Sequence, residues 1–248
     1  MLFQAKLKAT GYHALVTLSV AALMLIAVYG IWYPGELADM MAGANLFLLV
    51  MGVELAMGPL MSLVIFNPQK PRRELVRDYL LVGTVQLAAL IYGLYVVTLS
   101  RPVYLVFVKD RIEVVAASEL DAVDMKAGAN GYTDKPWFGP KLVCTEGPVD
   151  AQEKSDLLIS ALKGKDIQLY PKYYRPCFKG EIAGRAFGRD NFELIAKAEQ
   201  QPLPSDLQGQ DFLWLPVVTR FGAWTAVFTK EEGVDNATYY DIHPFEQR

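Results

Sequence analysis

Three long apolar stretches dominate the first hundred residues of the chain. Residues 14–33 and 79–99 contain no charged residue, and residues 45–66 contain a single one, Glu54. Each stretch is about as long as a helix needs to cross the roughly 30 Å hydrocarbon core of a bilayer. None has the polar stripe that helices show on the surface of a soluble core. The pattern therefore predicts three transmembrane helices within residues 1–100.

The first stretch is interpreted as an uncleaved span and not as a secretory signal. It follows Lys6 and Lys8, as a signal would, but its apolar run is longer than the usual signal core. It ends in Trp32-Tyr33-Pro34 instead of a small-residue cleavage site. Aromatic rings at that end are typical of an anchor at the membrane interface.

Basic residues in the short loops indicate how the spans are oriented. The first 13 residues and the connection 67–78 together hold six Lys and Arg residues, whereas the connection 34–44 holds none. The positive-inside rule then places the N-terminus and residues 67–78 in the cytoplasm. Three crossings put everything after residue 100 on the outer side of the membrane.

Short strands and helices replace the long apolar stretches after residue 100. Residues 103–108 and 111–117 are rich in β-branched and aromatic residues, and Lys109-Asp110 between them suits a turn, which predicts a β-hairpin. Asp150 and Gly164 are typical of the start and stop of a helix. Further strands are predicted at 141–145 and 212–220, and a second hairpin at 223–242. A loop is predicted at 127–140, and a second helix from Asp190 or Asn191. We therefore expect residues 101–248 to form a small α+β domain with a mainly antiparallel sheet.

Composition and charge exclude several classes of function. The chain is 52% hydrophobic with a net charge of −3, so nothing in it favours binding to nucleic acid. Two Cys and two His residues are too few for a zinc-finger array or an iron–sulfur protein. His13 at the membrane edge and His243 near the C-terminus fall on opposite sides of the membrane. No phosphate-binding loop, dinucleotide motif or nucleophile elbow is present. We expect no metal, no cofactor and no catalytic residues.

Cys144 and Cys177 are candidates for a disulfide bond. Both lie on the predicted outer side, where an oxidising compartment permits such a bond. It would close a loop of about 34 residues, which the chain-entropy model values at roughly 3–4 kcal/mol. The alternative is two separate buried thiols whose geometry forbids bonding.

Glu54 is the residue whose position most needs an explanation. A charge near the middle of a span costs about 2.5–3.5 kcal/mol on insertion scales. Four residues later, Gly58-Pro59 interrupts the helix, and the proline leaves the carbonyl of Leu55 without its usual donor. A carboxyl group and a free carbonyl are therefore expected next to each other at mid-depth in the membrane.

Two interpretations of Glu54 remain open. Counted from the cytoplasmic ends of the spans, Tyr92 lies at nearly the same depth as Glu54, and Gln86 lies level with Pro59. In the first interpretation, a protonated Glu54 hydrogen-bonds to Tyr92 within the bundle. In the second, Glu54 faces outward and receives a polar group from a partner helix. Small residues four apart favour close packing of the second and third spans: Gly52 with Ala56, and Ala89 with Gly93.

A series of short motifs extends over nearly the whole chain. They are Tyr12-His13, Trp32-Tyr33-Pro34, Gly58-Pro59-Leu60, residues 86–93, residues 101–107, Leu215-Pro216-Val217 and Trp224. In this order and spacing they resemble the TfpX/TfpZ-type type IV pilin accessory proteins of Gram-negative bacteria, and the FimB fimbrial accessory protein. One departure is Glu54, where aspartate is expected in the family. The resemblance implies a multi-pass inner-membrane protein with a periplasmic domain and no catalytic residues.

The expected function is that of a non-enzymatic accessory protein or chaperone for a type IV pilin. It would assist pilin stability, pilus assembly or pilus dynamics. The three spans would hold the apolar helix of the pilin, and the outer domain its soluble head. The lipid bilayer and the pilus assembly machinery are further expected partners. The candidate contacts in the membrane are Glu54, Gly58, Pro59, Gln86 and Tyr92. The candidates in the outer domain are Tyr132, Trp137 and Phe138, which lie in a loop. The alternative for these three is ordinary packing onto the domain core.

Two alternatives belong to other classes of function. A membrane-anchored periplasmic enzyme that modifies pilin or envelope components would bring acids, His or Ser together in a pocket. A sensor would bind a small ligand in its outer domain, but it would also need a cytoplasmic output module, for which the predicted cytoplasmic segments are short.

Overall fold

The computed structural model, which describes residues 2–129 and 131–245, divides the chain into two compact units. Residues 1–100 form the first unit, which is built from helices, and residues 101–248 form the second, which contains a β-sheet and helices. Asn130, within the loop predicted at 127–140, lies outside the described residues, as do residues 246–248.

The first unit contains the three predicted apolar helices. Each is long and apolar enough to cross a membrane, so this part of the prediction is confirmed. The helices extend further than the apolar stretches, because helical backbone continues into the flanking polar residues. Their bounds are α1 Leu2–Ala27, continued by a π-helical turn at Val28–Trp32, a short α2 at Leu37–Met40, α3 Gly43–Ile65, and α4 Arg72–Ser100.

Most side chains of the long helices are apolar and point away from the bundle. Leu23 on α1, Leu48 on α3 and Leu80 on α4 are each about two-thirds exposed. In water such surfaces would drive aggregation, whereas in a bilayer they contact lipid at no cost. The exposed faces of the unit are therefore those of a membrane bundle.

The residues that follow α1 differ in part from the prediction that their aromatic rings anchor the interface. Tyr33 is fully buried, and its hydroxyl donates a hydrogen bond of 3.0 Å to the carbonyl of Val97 on α4. Its ring also occupies the space next to Gly43, where a Cβ atom would lie 2.5 Å from the ring. Tyr33 therefore ties α1 to α4 inside the unit, since a buried hydroxyl needs a partner that the unpaired end of a helix provides.

α3 packs against both α1 and α4. Of the small residues predicted at the α3–α4 contact, only Gly93 is buried, and a Cβ atom there would lie 2.5 Å from Val50 Cγ1. Gly52, Ala56 and Ala89 are exposed, so the close approach depends on one glycine and not on two small-residue pairs.

The second unit begins with the predicted hairpin. Strands β1, Pro102–Val108, and β2, Arg111–Ala116, are antiparallel and joined by Lys109-Asp110, with Lys109 at a φ of 58°. The other strands are β3 Lys141–Thr145, β4 Tyr174–Arg175, β5 Phe187–Gly188, β6 Leu213–Thr219, β7 Gly222–Phe228 and β8 Thr238–Tyr240. The helices are α5 Ala122–Lys126, α6 Ala151–Leu162 and α7 Arg189–Ala198.

The sheet is mixed, so the prediction of a mainly antiparallel sheet is wrong. The strand order is β4-β3-β1-β2-β6-β7-β8, with β5 beside β6. The central hairpin has a parallel neighbour on each side, β3 next to β1 and β6 next to β2. Both neighbours return to the sheet after long connections, which permit parallel pairing. Sequence pattern identifies strands and local hairpins, but it does not identify the partners of strands that are far apart in the chain.

Two apolar clusters hold the second unit together. The first surrounds β1 and includes Tyr104, Val106, Val143 and Tyr174. The second lies between α7 and the β6–β7 hairpin and includes Phe192, Phe212, Trp214 and Val227. β1 is buried along nearly its whole length, which explains why its sequence is continuously apolar and does not alternate.

A disulfide bond joins Cys144 on β3 to Cys177, just after β4, with an Sγ–Sγ distance of 2.17 Å. The two strands are antiparallel neighbours, and Cys144 lies opposite Arg175. Arg175 in turn binds Glu181 through two hydrogen bonds of 2.9 and 2.6 Å. This pairing holds the pKa of Glu181 at about 2, well below its usual range, so the carboxylate stays charged.

Replacing Gly93 by alanine is expected to loosen the α3–α4 contact. The new methyl group would collide with the stiff Val50 side chain, and such overpacking costs about 1–3 kcal/mol, more than the 0.5–1 kcal/mol that alanine gains in a helix. The matched control is Gly83→Ala on the same helix, where a Cβ atom meets nothing within 4 Å. Thermal unfolding of the full chain in detergent, followed by circular dichroism at 222 nm, measures both. Equal melting temperatures for the two variants would contradict this packing.

Loss of the disulfide is expected to destabilise the second unit. The Cys144→Ser/Cys177→Ser variant should lower its free energy of unfolding by roughly 3–4 kcal/mol, because the unfolded chain regains the freedom of the closed loop. The measurement is guanidinium unfolding of the full chain in detergent, followed by tryptophan emission, with and without a reductant. A midpoint that neither reduction nor the substitution changes would show that the bond does not stabilise the unit.

Candidate functional site

Polar side chains from three helices meet inside the membrane unit. They are His13 on α1, Glu54 and Ser62 on α3, and Gln86 on α4. Glu54, Gly58 and Ser62 are four residues apart, so they lie along one face of α3. Because α3 packs between α1 and α4, this face is where polar groups of both neighbours can reach it.

His13 and Ser62 form the first contact of this site. His13 Nδ1 and Ser62 Oγ lie 2.6 Å apart and share a hydrogen bond, and Ser62 is almost fully buried. Nearby, Lys6 Nζ donates a 3.1 Å bond to the carbonyl of Leu63, one of the last carbonyls of α3 that lack a helical donor. These bonds fix one end of α1 against α3.

The sequence placed His13 at the membrane edge but gave it no role in helix packing. α1 begins at Leu2, so the helix extends beyond the apolar stretch and includes His13. Counting residues from the cytoplasmic ends compared only the second and third spans. The same comparison extended to the first span would have found this contact. His13 and Ser62 both lie near the predicted cytoplasmic ends of their apolar stretches.

Gly58 provides the space in which the polar groups of α1 and α4 meet. A Cβ atom at this position would lie 2.8 Å from Gln86 Nε2 and 3.1 Å from His13 Nε2. Glycine is therefore required for both side chains to reach α3. The contact also places Gln86 beside Gly58-Pro59, which is the depth that the sequence predicts for it.

Pro59 does not end its helix, although the sequence suggests an interruption there. α3 continues through Pro59 to Ile65. Proline has no N–H group, so it donates no helical bond to the carbonyl of Leu55. Pro59 itself is half-buried, and the neighbouring Gly58 is buried.

Glu54 lies in the wall of a groove of about 160 Å³ on the surface of the bundle. The groove includes residues of all three long helices: His13, Val16, Thr17, Val20, Met51, Glu54, Gln86, Leu87 and Leu90. Val16 and Leu87 are more than half exposed, so the groove is open to its surroundings. Within the described parts of the chain, no hydrogen bond is made to or from the Glu54 carboxyl. The groove therefore presents an acid that makes no hydrogen bond within the described residues, in walls that are mostly apolar but also include His13, Thr17 and Gln86.

Tyr92 is not part of this groove. Its side chain is 69% exposed, it lines none of the groove, and it makes no hydrogen bond to Glu54. The interpretation in which Tyr92 satisfies Glu54 within the bundle is therefore wrong. Equal depth in the membrane is not enough for contact, because the direction in which a side chain leaves its helix also matters.

The three aromatic candidates of the second unit separate into two groups. Tyr132 packs on the first apolar cluster, with its ring edge-on to Tyr104 and Tyr174. Burial raises the pKa of Tyr104 to about 12, so its hydroxyl stays neutral and donates to the carbonyl of Asp134. Trp137 and Phe138 instead remain 60% and 83% exposed. Tyr132 therefore belongs to the core, and only the other two are available to a partner.

A second groove of about 380 Å³ lies on the second unit beside α7 and β6. Its walls include Phe187, Leu194 and Trp214, and the described residues that line it include no His, Ser or Cys. Arg111 at its rim is bonded to Glu113 at 2.6 Å. Among the described residues of the whole chain, no three potential metal ligands of the His, Cys, Asp or Glu types are grouped together.

The chain is similar to curated proteins over nearly its whole length, although no family model and no solved structure matches it. The fimbrial assembly protein of serogroup I from Dichelobacter nodosus is 30% identical over 250 residues, which are 97% of this chain and 96% of that protein. The serogroup E1 protein of that organism is 29% identical over the same shares. The protein of serogroups C1 and C2 is 38% identical over 119 residues, 48% of this chain and 89% of that protein. The chain therefore belongs to the family of fimbrial assembly proteins.

Proposed function

We propose that the protein is a non-enzymatic accessory protein that binds a type IV pilin in the bacterial inner membrane before the pilin is assembled. The observation that carries this proposal is the groove at Glu54, an acid on the open surface of an apolar bundle that makes no hydrogen bond to any described residue. Membership of a family whose relatives are named fimbrial assembly proteins supports the process. The resemblance to the TfpX/TfpZ-type proteins supports a pilin as the partner.

The energetics of Glu54 favour a partner helix over a structural role. An acid at mid-depth costs about 2.5–3.5 kcal/mol on insertion scales, and the described part of the bundle offers it no hydrogen bond that offsets this cost. Helices in lipid associate through close packing and hydrogen bonds between them, not through a hydrophobic driving force. A single apolar helix that carries one polar group supplies both kinds of contact at this groove.

The groove is built so that it stays available for such a helix. The bond between His13 and Ser62, together with the contact of Gln86 at Gly58, positions α1 and α4 on either side of the Glu54 face. His13 and Ser62 already bond each other, whereas Glu54 and Gln86 make no hydrogen bond among the described residues, so Glu54 is the acidic group of this site that can receive a donor from outside.

The proposed topology places residues 101–248 in the periplasm and the α3–α4 connection in the cytoplasm. The four basic residues of that connection follow the positive-inside rule: Lys70, Arg72, Arg73 and Arg77. The disulfide between Cys144 and Cys177 supports the same assignment, because such bonds persist in oxidising compartments such as the bacterial periplasm. The proposed role requires binding and release and no chemical step.

Site-specific photo-crosslinking in cells tests where the pilin helix binds. A crosslinking amino acid at Leu87, which lines the groove, is expected to capture pilin several-fold more efficiently than one at Val85. Both positions lie on α4 and both are about 60% exposed, but Val85 does not line the groove. Equal capture at the two positions, or no capture of pilin from cells that still assemble pili, would count against the groove.

Substitution of Glu54 tests whether the acid itself makes the contact. Glu54→Leu removes the insertion cost, so the protein should accumulate normally, while capture of pilin from Leu87 and pilus assembly should fall at least several-fold. Glu54→Gln keeps a hydrogen-bonding group but removes the acid, so it separates the effect of charge from that of hydrogen bonding. Val53→Leu, at the neighbouring exposed residue outside the groove, is the matched control. If Glu54→Leu alters only the stability of the protein, Glu54 does not bind the partner.

A further inference from the structure

Trp137 and Phe138 form an exposed aromatic pair on the second unit. They belong to the segment 133–140, which we name the aromatic loop. Adjacent large aromatic residues that are 60% and 83% exposed are unusual on a surface that contacts only water. Their exposure is selective, since the nearby Tyr132 is packed into the core.

Hydrogen bonds fix the aromatic loop at residues 134–136, directly before the aromatic pair. Tyr104 donates to the carbonyl of Asp134 at 2.9 Å, and Arg101 donates to the carbonyl of Pro136 at 3.3 Å. Lys135 Nζ reaches back to two carbonyls, those of Ala117 and Leu120, at 2.5 and 2.8 Å. The hydrogen-bonded backbone therefore holds the rings outward, and they are exposed before any partner binds.

The position of Arg101 in the chain places this loop close to the end of a membrane span. Arg101 directly follows Ser100, the last residue of α4, and its guanidinium carbon lies 4.8 Å from the centre of the Trp137 ring. The polar headgroup layer on each side of the hydrocarbon core is roughly 5–8 Å thick. Arg101 is the first residue after the span, and its side chain contacts the Trp137 ring. The ring is therefore within reach of the headgroup layer.

We propose that Trp137 and Phe138 insert into the lipid headgroup layer and anchor the second unit to the membrane surface. Tryptophan suits this position because its ring combines an apolar body with one N–H donor, and such rings are enriched where hydrocarbon meets water. The buried Arg101 faces the ring from the protein side, so it stabilises the ring's orientation. The inference requires α4 to span the bilayer, but it does not depend on the proposed binding of pilin.

Quenching by brominated lipids tests this anchor. The full chain is reconstituted into vesicles of phosphatidylethanolamine and phosphatidylglycerol, with or without bromine at positions 6 and 7 of the acyl chains. The emission of Trp137 is obtained as the difference between the wild type and Trp137→Phe. We expect bromination to reduce this difference at least twofold. A second variant, Phe138→Trp, should add emission that is quenched to a similar extent.

The matched control is Trp214, a tryptophan of the same unit that is buried in the second cluster and donates to the carbonyl of Gly188. The difference in emission between the wild type and Trp214→Phe should be the same in brominated and unbrominated vesicles. The proposal would be overturned if bromination changed neither the emission of Trp137 nor that of a tryptophan at position 138. Crosslinking from position 138 to the pilin head, together with unquenched emission, would assign the pair to pilin instead.

Discussion

The requirement that every polar group in hydrocarbon have a partner determines how the membrane unit is built. Three helices that would otherwise associate only by packing are held in register by a few hydrogen bonds, including the bond between His13 and Ser62 and the bond from Tyr33 to Val97. Each bond uses a donor or acceptor that water would satisfy in a soluble protein. Among the described residues, Glu54 is an ionisable group of an apolar stretch that makes no such bond, which is why the groove needs a separate explanation.

Glycine and aromatic residues have complementary roles in the two units. In the membrane, Gly58 and Gly93 allow helices to approach where a methyl group would collide with a neighbour. In the second unit, Tyr104 and Tyr174 fill the core around β1, and the disulfide joins β3 to the residues just after β4. The fold thus combines a bundle held by few specific contacts with a domain held by dense packing and one covalent link.

Much of the architecture could be predicted because it depends on local patterns. The three apolar stretches, the hairpin around Lys109-Asp110 and the helix that Asp150 begins are each determined by residues close together in the chain. The parallel pairing of β2 with β6 could not be predicted, because it joins segments a hundred residues apart. For the site, depth in the membrane was predictable for Gln86. The direction of Tyr92 was not, since it depends on how each helix is rotated about its axis.

The small size of the Glu54 groove has a consequence for exchange. A cavity of roughly 150 Å³ in another protein holds a molecule the size of benzene, so a groove of about 160 Å³ accommodates one side chain and not a whole helix. Under the proposed function, a helix bound through one side chain would keep most of its surface in contact with lipid. Its release would then require the loss of a single polar contact.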